Sequence, residues 1–503
     1  MVQWFVAVCT LILVACLWTV LRYLRWRSPS NALLRGLGRD LSQCRGKDCL
    51  SNGCLSDHNA ADAPASAGAS AVTLICKPSA LASHLVKNCP TFSHFPSGSK
   101  WSWRASPFLQ TVSGVCCWPS ESAVRFARDH LLMSDDGLVA LDWAVAGTAV
   151  AWHKLRRTAS NSTNPVLLII PNSFGKITTN VLKLCEVGLC HGYLPVVFNR
   201  RGQNGTPLGT PRLQQFGDPT DLREAVCYIR YRQPAGRLYA VSESTGSGLL
   251  LSYLGECGSS SYLTAAACIS PILRCQAWYD SALYWLYHSA LLLYQKICLS
   301  RYRTALGEVI PTDSVFSSSS LRGLEEALFC GPVVGGASWE GYWESNEPLR
   351  DVDEVAVPVL CVCSRDDPVR GPPNQTLPLE LFHSNPHLFL LLSSRGGHCG
   401  FATPTDAWSH CALLQFFCAA TDFCSGEGNS APRLATPRRR APGGGASGRT
   451  IRHRSGSTCK KPAARLPRPP RHPRHLQLAA FLHTADRLYS HTPPVPRPQG
   501  NVA

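Results

Sequence analysis

Three short stretches carry residues that can do acyl-transfer chemistry. The first, LYAVSESTGSGLLL at 238–251, sets Ser244 among small residues between two apolar runs. A serine so placed becomes a nucleophile when the chain turns sharply from strand to helix, a crowded turn that only small neighbours fit. The second stretch, SRDDPVRG, supplies Asp366 and Asp367, and the third, SSRGGHCGF, supplies His398 between glycines. A histidine takes the proton of a serine hydroxyl, and a carboxylate orients it and stabilises the imidazolium that forms. Taken singly, Ser-rich turns, Asp-Pro turns and lone histidines are common structural features. Their joint order points to a nucleophile, an acid and a base.

Such residues must be brought together by the elements around them. VLLIIP (166–171), LPVVFN (194–199), LYAVSE (238–243), TAAACISPI (264–272), VPVLCVCS (357–364) and HLFLLLSS (387–394) are near-continuous apolar runs. Strands buried on both faces of a parallel sheet read this way. DLREAVCYIRYRQ, LLLSYLGECG and AWSHCALLQFFCAA repeat apolar residues three and four apart, as helices covering a sheet do. The pattern predicts a βαβ series, an α/β fold whose chemistry sits at the carboxyl ends of the strands. All three stretches lie there, in the chain order Ser, Asp, His that α/β-hydrolases use.

Between TAAACISPI and VPVLCVCS lies an insertion of about 273–355 containing AWYDSALYWLYHSALLLYQKICL. Its aromatic residues, Trp278, Tyr279, Tyr284, Trp285, Tyr287 and Tyr294, allow two readings. They line a helical lid that admits an acyl chain, or they pack on the core.

Charge and cysteine usage bound the partners. The 503 residues carry 49 Lys and Arg against 33 Asp and Glu, but fifteen of the bases and only two acids fall in 425–503. The preceding 424 residues are nearly neutral, so no nucleic-acid partner is expected. The tail, rich in Pro, Gly and Arg, is expected to be disordered, either a polybasic arm for acidic lipids or a solvated extension. Residues 1–21 contain no charged side chain and are followed by RYLRWR. That length spans a bilayer as a helix, and basic residues on its C-terminal flank place the body in the cytosol. Residues 1–27 are therefore expected to be an uncleaved anchor in the endoplasmic reticulum or a related membrane; cleavage would make the protein secreted instead. Residues 28–100, rich in Ser, Ala and Gly, read as a linker, and 101–424 as the catalytic domain. Of the 24 cysteines, Cys227, Cys268, Cys361 and Cys363 fall in apolar stretches as buried thiols do. Cys44, Cys49 and Cys54 form the one close cluster, read as a loop of free thiols; no metal site or cofactor is expected. Asn161, Asn204 and Asn374 begin N-x-S/T sequons.

A wider set of motifs resembles a membrane-anchored branch of the α/β-hydrolase superfamily, the AB hydrolase 4 branch. These are SPFLQT (106–111), DDGLVALDW (135–143), VVFNRRGQNGTPLGTPRL (196–213), GDPTDL (217–222), SYLGECG (252–258), DDPV (366–369) and GGHCGF (396–401). The resemblance covers about 100–420 and implies Ser244 as nucleophile, Asp367 as charge-relay acid with Asp366 the alternative, and His398 as base. It also implies an oxyanion hole formed by the amides of Thr245 and Ser173. The chain departs from the family at two places. Relatives read close to G-F-S-L-G-G where this chain has Ser242-Glu243-Ser244-Thr245-Gly246-Ser247, and P-G-L-T-G where it has Pro171-Asn172-Ser173-Phe174-Gly175. Two expectations follow: an anchored serine hydrolase acting on a lipid or other acyl ester, or a weakly catalytic or inactive regulator of lipid metabolism that binds a lipid or protein partner.

Overall fold

The computed structural model describes residues 70–95, 106–115, 124–146, 163–281, 285–330, 337–401 and 407–430. The expected anchor, the Cys44–Cys49–Cys54 run, Asn161, Tyr284 and the tail beyond 430 lie outside them.

Six parallel strands form the centre of a ten-stranded sheet. They are β5 (Val166–Ile170), β6 (Leu194–Asn199), β7 (Leu238–Glu243), β8 (Ala265–Ile269), β9 (Val359–Ser364) and β10 (Leu388–Ser393). All six are buried along their whole length. Leu168 and Ile170 face one apolar cluster while Leu167 and Ile169 face the other, so each strand is apolar on both sides and its sequence shows no alternation. With β1 (Ser70–Ile75), β2 (His94–Phe95), β3 (Val124–Leu132) and β4 (Leu138–Ala146), the strand order is β2-β1-β10-β9-β8-β7-β5-β6-β4-β3.

The antiparallel margins are less apparent in the sequence. On one side β3 (Val124–Leu132) and β4 (Leu138–Ala146) form a hairpin, with β4 pairing to β6. On the other, β1 (Ser70–Ile75) pairs antiparallel with β10, and the two-residue β2 (His94–Phe95) pairs with β1. The last third of the expected 28–100 linker is therefore folded: between β1 and β2, helix α1 (Ala80–Asn88) buries Ala82 and Leu85. Flanks rich in small Ser and Ala residues leave this strand without a clear apolar run, and at the margin of the sheet it needs only one apolar face.

Helix α2 (Pro107–Val115) precedes the hairpin, and α3 (Thr179–Cys190), α4 (Thr220–Arg232) and α5 (Gly246–Cys257) connect the central strands. Between β8 and β9 lies a helical insertion with α6 (Cys275–Asp280), α7 (Trp285–Ser300), α8 (Thr312–Ser317), α9 (Leu321–Phe329) and α10 (Trp339–Asn346). Helix α11 (Leu379–Ser384) precedes β10, and α12 (Trp408–Ser430) closes the fold. It runs to Ser430, six residues past the expected domain end at 424; Ala419 and Ala420 pack in the core, and residues 424–426 are exposed. Cys268, Cys361 and Cys363 are buried thiols as expected, whereas Cys227 is exposed on α4. Among the described residues no helix is long and apolar enough to cross a membrane.

Candidate active site

Strand β7 ends at Glu243 and helix α5 begins at Gly246, so Ser244 occupies a two-residue turn. Its φ of 51° is in the left-handed region, where a side chain other than glycine is strained. The turn is tight because a Cβ on Gly246 would lie 2.4 Å from the Pro171 carbonyl oxygen. The two serines that depart from the family pattern are hydrogen-bonded to each other, Ser242 Oγ to Ser247 Oγ at 3.0 Å. Both buried hydroxyls also hydrogen-bond with Cys268, and the elbow keeps its sharp turn.

The loops after β9 and β10 converge on Ser244. His398 Nε2 lies 2.7 Å from Ser244 Oγ, and His398 Nδ1 lies 2.9 and 3.0 Å from the two Asp367 carboxylate oxygens. Asp367 Oδ1 also accepts the backbone N–H groups of Val369 and Arg370, and its other oxygen is 3.7 Å from the Arg370 guanidinium. Burial raises the Asp367 carboxyl, but the charges of His398 and Arg370 and these donors outweigh it and hold the group below the ordinary carboxylate range. Asp366 points elsewhere: it accepts the Gly397 N–H at 2.9 Å, and burial pushes its carboxyl up. The structure thus brings Ser244, His398 and Asp367 into one hydrogen-bonded chain and leaves Asp366 outside it.

The remaining motifs position this chain. Thr111 of SPFLQT accepts the His398 N–H at 2.9 Å, and Ser270 accepts the Cys399 N–H at 2.9 Å. Arg201 donates to Asp221 at 2.6 and 2.7 Å and to Asp135 at 2.7 and 2.8 Å. One guanidinium therefore ties DDGLVALDW and GDPTDL to the loop after β6. Asn199 and Arg128 both bind Asp142.

Ser173 and Thr245 meet in an unexpected way. The Ser173 N–H donates to the Thr245 side-chain hydroxyl at 2.8 Å, and Ser173 Oγ donates to the same oxygen at 2.8 Å. One of the two expected oxyanion donors is therefore occupied by the side chain of the residue that carries the other. Asn172 folds the loop, its side chain accepting the Phe174 N–H and its carbonyl the Gly175 N–H.

The insertion's aromatic residues divide between the two expected roles. Trp278 and Tyr279 are buried with Phe216, Trp339 and Trp343. Tyr287 of α7 stands edge-on to His398 with ring centres 6.0 Å apart, and edge-on to Phe174 at 5.7 Å. Tyr294 packs on Phe174, and Trp285 is exposed. Glu243, beside the nucleophile, is fully buried with one unpartnered oxygen, and burial pushes its carboxyl up to about 7. Spacing along the chain could not reveal the Thr245 cap or the approach of Tyr287, since both depend on tertiary placement.

No family model matches the chain. Human Protein ABHD15 is 55% identical over 353 residues, covering 70% of this chain and 74% of that protein. Mouse Phospholipase ABHD3 is 28% identical over 327 residues, covering 63% of this chain and 75% of that protein. The Pyrococcus furiosus esterase Pf2001 superposes with a TM-score of 0.40 at 11% identity, covering 60% of this chain and 94% of that one. With the sheet order and the elbow, the ABHD15 match establishes that the chain belongs to the α/β-hydrolase family.

Proposed function

We propose that this chain is a serine hydrolase that cleaves an acyl ester of a lipid, working as a membrane-anchored protein. The observation that carries the reading is the Ser244–His398–Asp367 chain, with links of 2.7 and 2.9 Å. His398 Nε2 takes the Ser244 proton as Oγ attacks the ester carbonyl carbon, and Asp367 stabilises the imidazolium. The tetrahedral oxyanion is held by the Thr245 N–H, joined by the Ser173 N–H once the Thr245 hydroxyl turns away. Collapse breaks the ester C–O bond as His398 protonates the leaving alcohol. Water, deprotonated by His398, then attacks the acyl-serine and releases the acid. Leu286, Leu293 and Ile297 lie on one face of α7 and are all more than half exposed, consistent with work at an acyl-rich surface. The uncharged segment 1–21 supports the anchor.

A fluorophosphonate probe, which modifies activated serines, tests the reading. Wild type should be labelled, whereas folded Ser244→Ala and His398→Ala should not. Equal labelling of wild type and Ser244→Ala would exclude Ser244 as the nucleophile. A second reading, a weakly catalytic or inactive fold that regulates lipid metabolism by binding a lipid or protein, is favoured by the Thr245 cap on Ser173. It predicts no labelling of wild type and recovery of labelling when the cap is removed.

A further inference from the structure

Two adjacent arginines follow β6 and meet opposite surroundings. Arg201 is doubly ion-paired, with Asp135 and Asp221. Arg200 forms no ion pair among the described residues, and its buried Nη2 has no hydrogen-bond partner. Removing a guanidinium from water without pairing it is costly, and burial lowers its affinity for the proton, yet an arginine stays charged in proteins. The sequence thus retains a cation that the fold itself does not neutralise.

Arg200 lines a cavity of about 100 Å³ that reaches from Ser173 to the insertion helices α7 and α9. Gln203, Gln214, Tyr294 and Glu325 share the wall. Gln214 Oε1 is also unpartnered. Glu325 and Asp221 attract the Arg200 charge, but burial outweighs them. Asp221 is held by Arg201, and Glu325 accepts the Tyr342 hydroxyl at 2.6 Å while burial pushes its carboxyl up to about 7. At one end of the cavity Ser173 is hydrogen-bonded to Thr245, the neighbour of Ser244. Ser173 is thus the wall residue on the nucleophile's side, and Ser244 itself does not line the cavity.

We propose that Arg200 recognises the anionic oxygen headgroup of an acyl ester, phosphate or carboxylate, whose ester group lies at Ser244. A planar guanidinium meets two such oxygens at once, and the charge-assisted pair forms where water is largely excluded. The assignment of the occupant as substrate rests on the hydrolase reading; the anion recognition does not.

Thermal shift on Ser244→Ala protein tests recognition without turnover, with 1-octanoylglycerol 3-phosphate, 1-octanoylglycerol and inorganic phosphate as probes. The phosphate-bearing ester should stabilise the protein at concentrations where neither of the others does. Adding Arg200→Met should weaken its apparent affinity by about 10- to 100-fold, the size of one charge-assisted hydrogen bond, while raising the melting temperature of the ligand-free protein. If Arg200→Met folds poorly, Arg200→Lys, which keeps the charge but loses the fork, should give an intermediate loss. Equal shifts from the two esters, or an unchanged shift in both Arg200 variants, would overturn the proposal. Inorganic phosphate matching the phosphate ester would overturn it in favour of a free-anion site. Stabilisation by the ester in a protein whose wild type takes no fluorophosphonate label would support anion recognition while removing hydrolysis.

Discussion

Thr245 is the residue at which the hydrolase and regulator readings part. Its hydroxyl accepts both the N–H and the Oγ–H of Ser173. Thr245→Val keeps the β-branched shape and removes the acceptor, so the Ser173 amide becomes available to an oxyanion. Turnover of an acyl ester should rise by on the order of 10², since one oxyanion donor is worth about 10²–10³ in rate. Stability should fall by about 1–3 kcal/mol, because two buried donors lose their partner. A variant that loses stability without gaining turnover or probe labelling would show that the cap does not limit catalysis. Glu243 makes a separate prediction. Its carboxyl has a pKa of about 7 in the fold against an ordinary 4.5, so the folded state holds the proton longer than the unfolded chain does. Stability should therefore decline as pH rises from about 4.5 to about 7, and Glu243→Gln should reduce that decline. At pH 8 the variant should be more stable by roughly 3 kcal/mol, because each tenfold difference in proton affinity between folded and unfolded chain is worth about 1.4 kcal/mol, with no gap at about pH 4. Glu325, raised in the same direction, leaves a residual slope. Chemical denaturation across pH measures both. Ser244, His398 and the Asp pair were legible from sequence because each sits at a strand end among small residues. The choice between Asp366 and Asp367 came from family resemblance, and only the loop geometry separates the two. Arg200 and the Thr245 hydroxyl were not legible, since their significance lies in what they do or do not touch across the fold.

At the scale of elements, the six central strands were readable because burial on both faces leaves unbroken apolar runs. β3 is partly exposed along most of its length, so its sequence, VRFARDHLL, carries charge and shows no such run. β1 was missed inside a Ser- and Ala-rich segment, and its contacts make it more than an ornament. Its four register pairs with β10, Val72↔Ser393 to Ile75↔Leu390, cover the strand that leads to His398. A fragment starting at 101, where the sequence places the domain boundary, exposes the apolar edge of β10. Bare edges pair with other chains. We expect residues 101–430 to aggregate on expression and residues 67–430 to give soluble, cooperatively unfolding protein. Size-exclusion chromatography of the two fragments distinguishes the outcomes, and soluble monomer from 101–430 would show that β1 is dispensable.

For the whole molecule, the proposed anchor raises the question of which side of a membrane the fold would occupy. A cytosolic body attached through residues 1–27 predicts resistance to alkaline carbonate extraction and unmodified sequons, because glycosylation occurs on the lumenal side. Asn374 is the informative site, being exposed in a short helical turn. Asn204 is engaged with Asn199 and Asp142, and its lack of glycan would report only that engagement. A glycosidase-sensitive mobility shift lost in Asn374→Gln would place the fold in the lumen and favour the secreted alternative.

The hydrogen bond between Ser242 and Ser247 also makes the two positions interdependent. Cys268 hydrogen-bonds with both serines, so glycine at either position alone leaves the remaining hydroxyl with a thiol as its partner. Sulfur is the weaker partner, and the stability effects of the two glycine substitutions are therefore not additive.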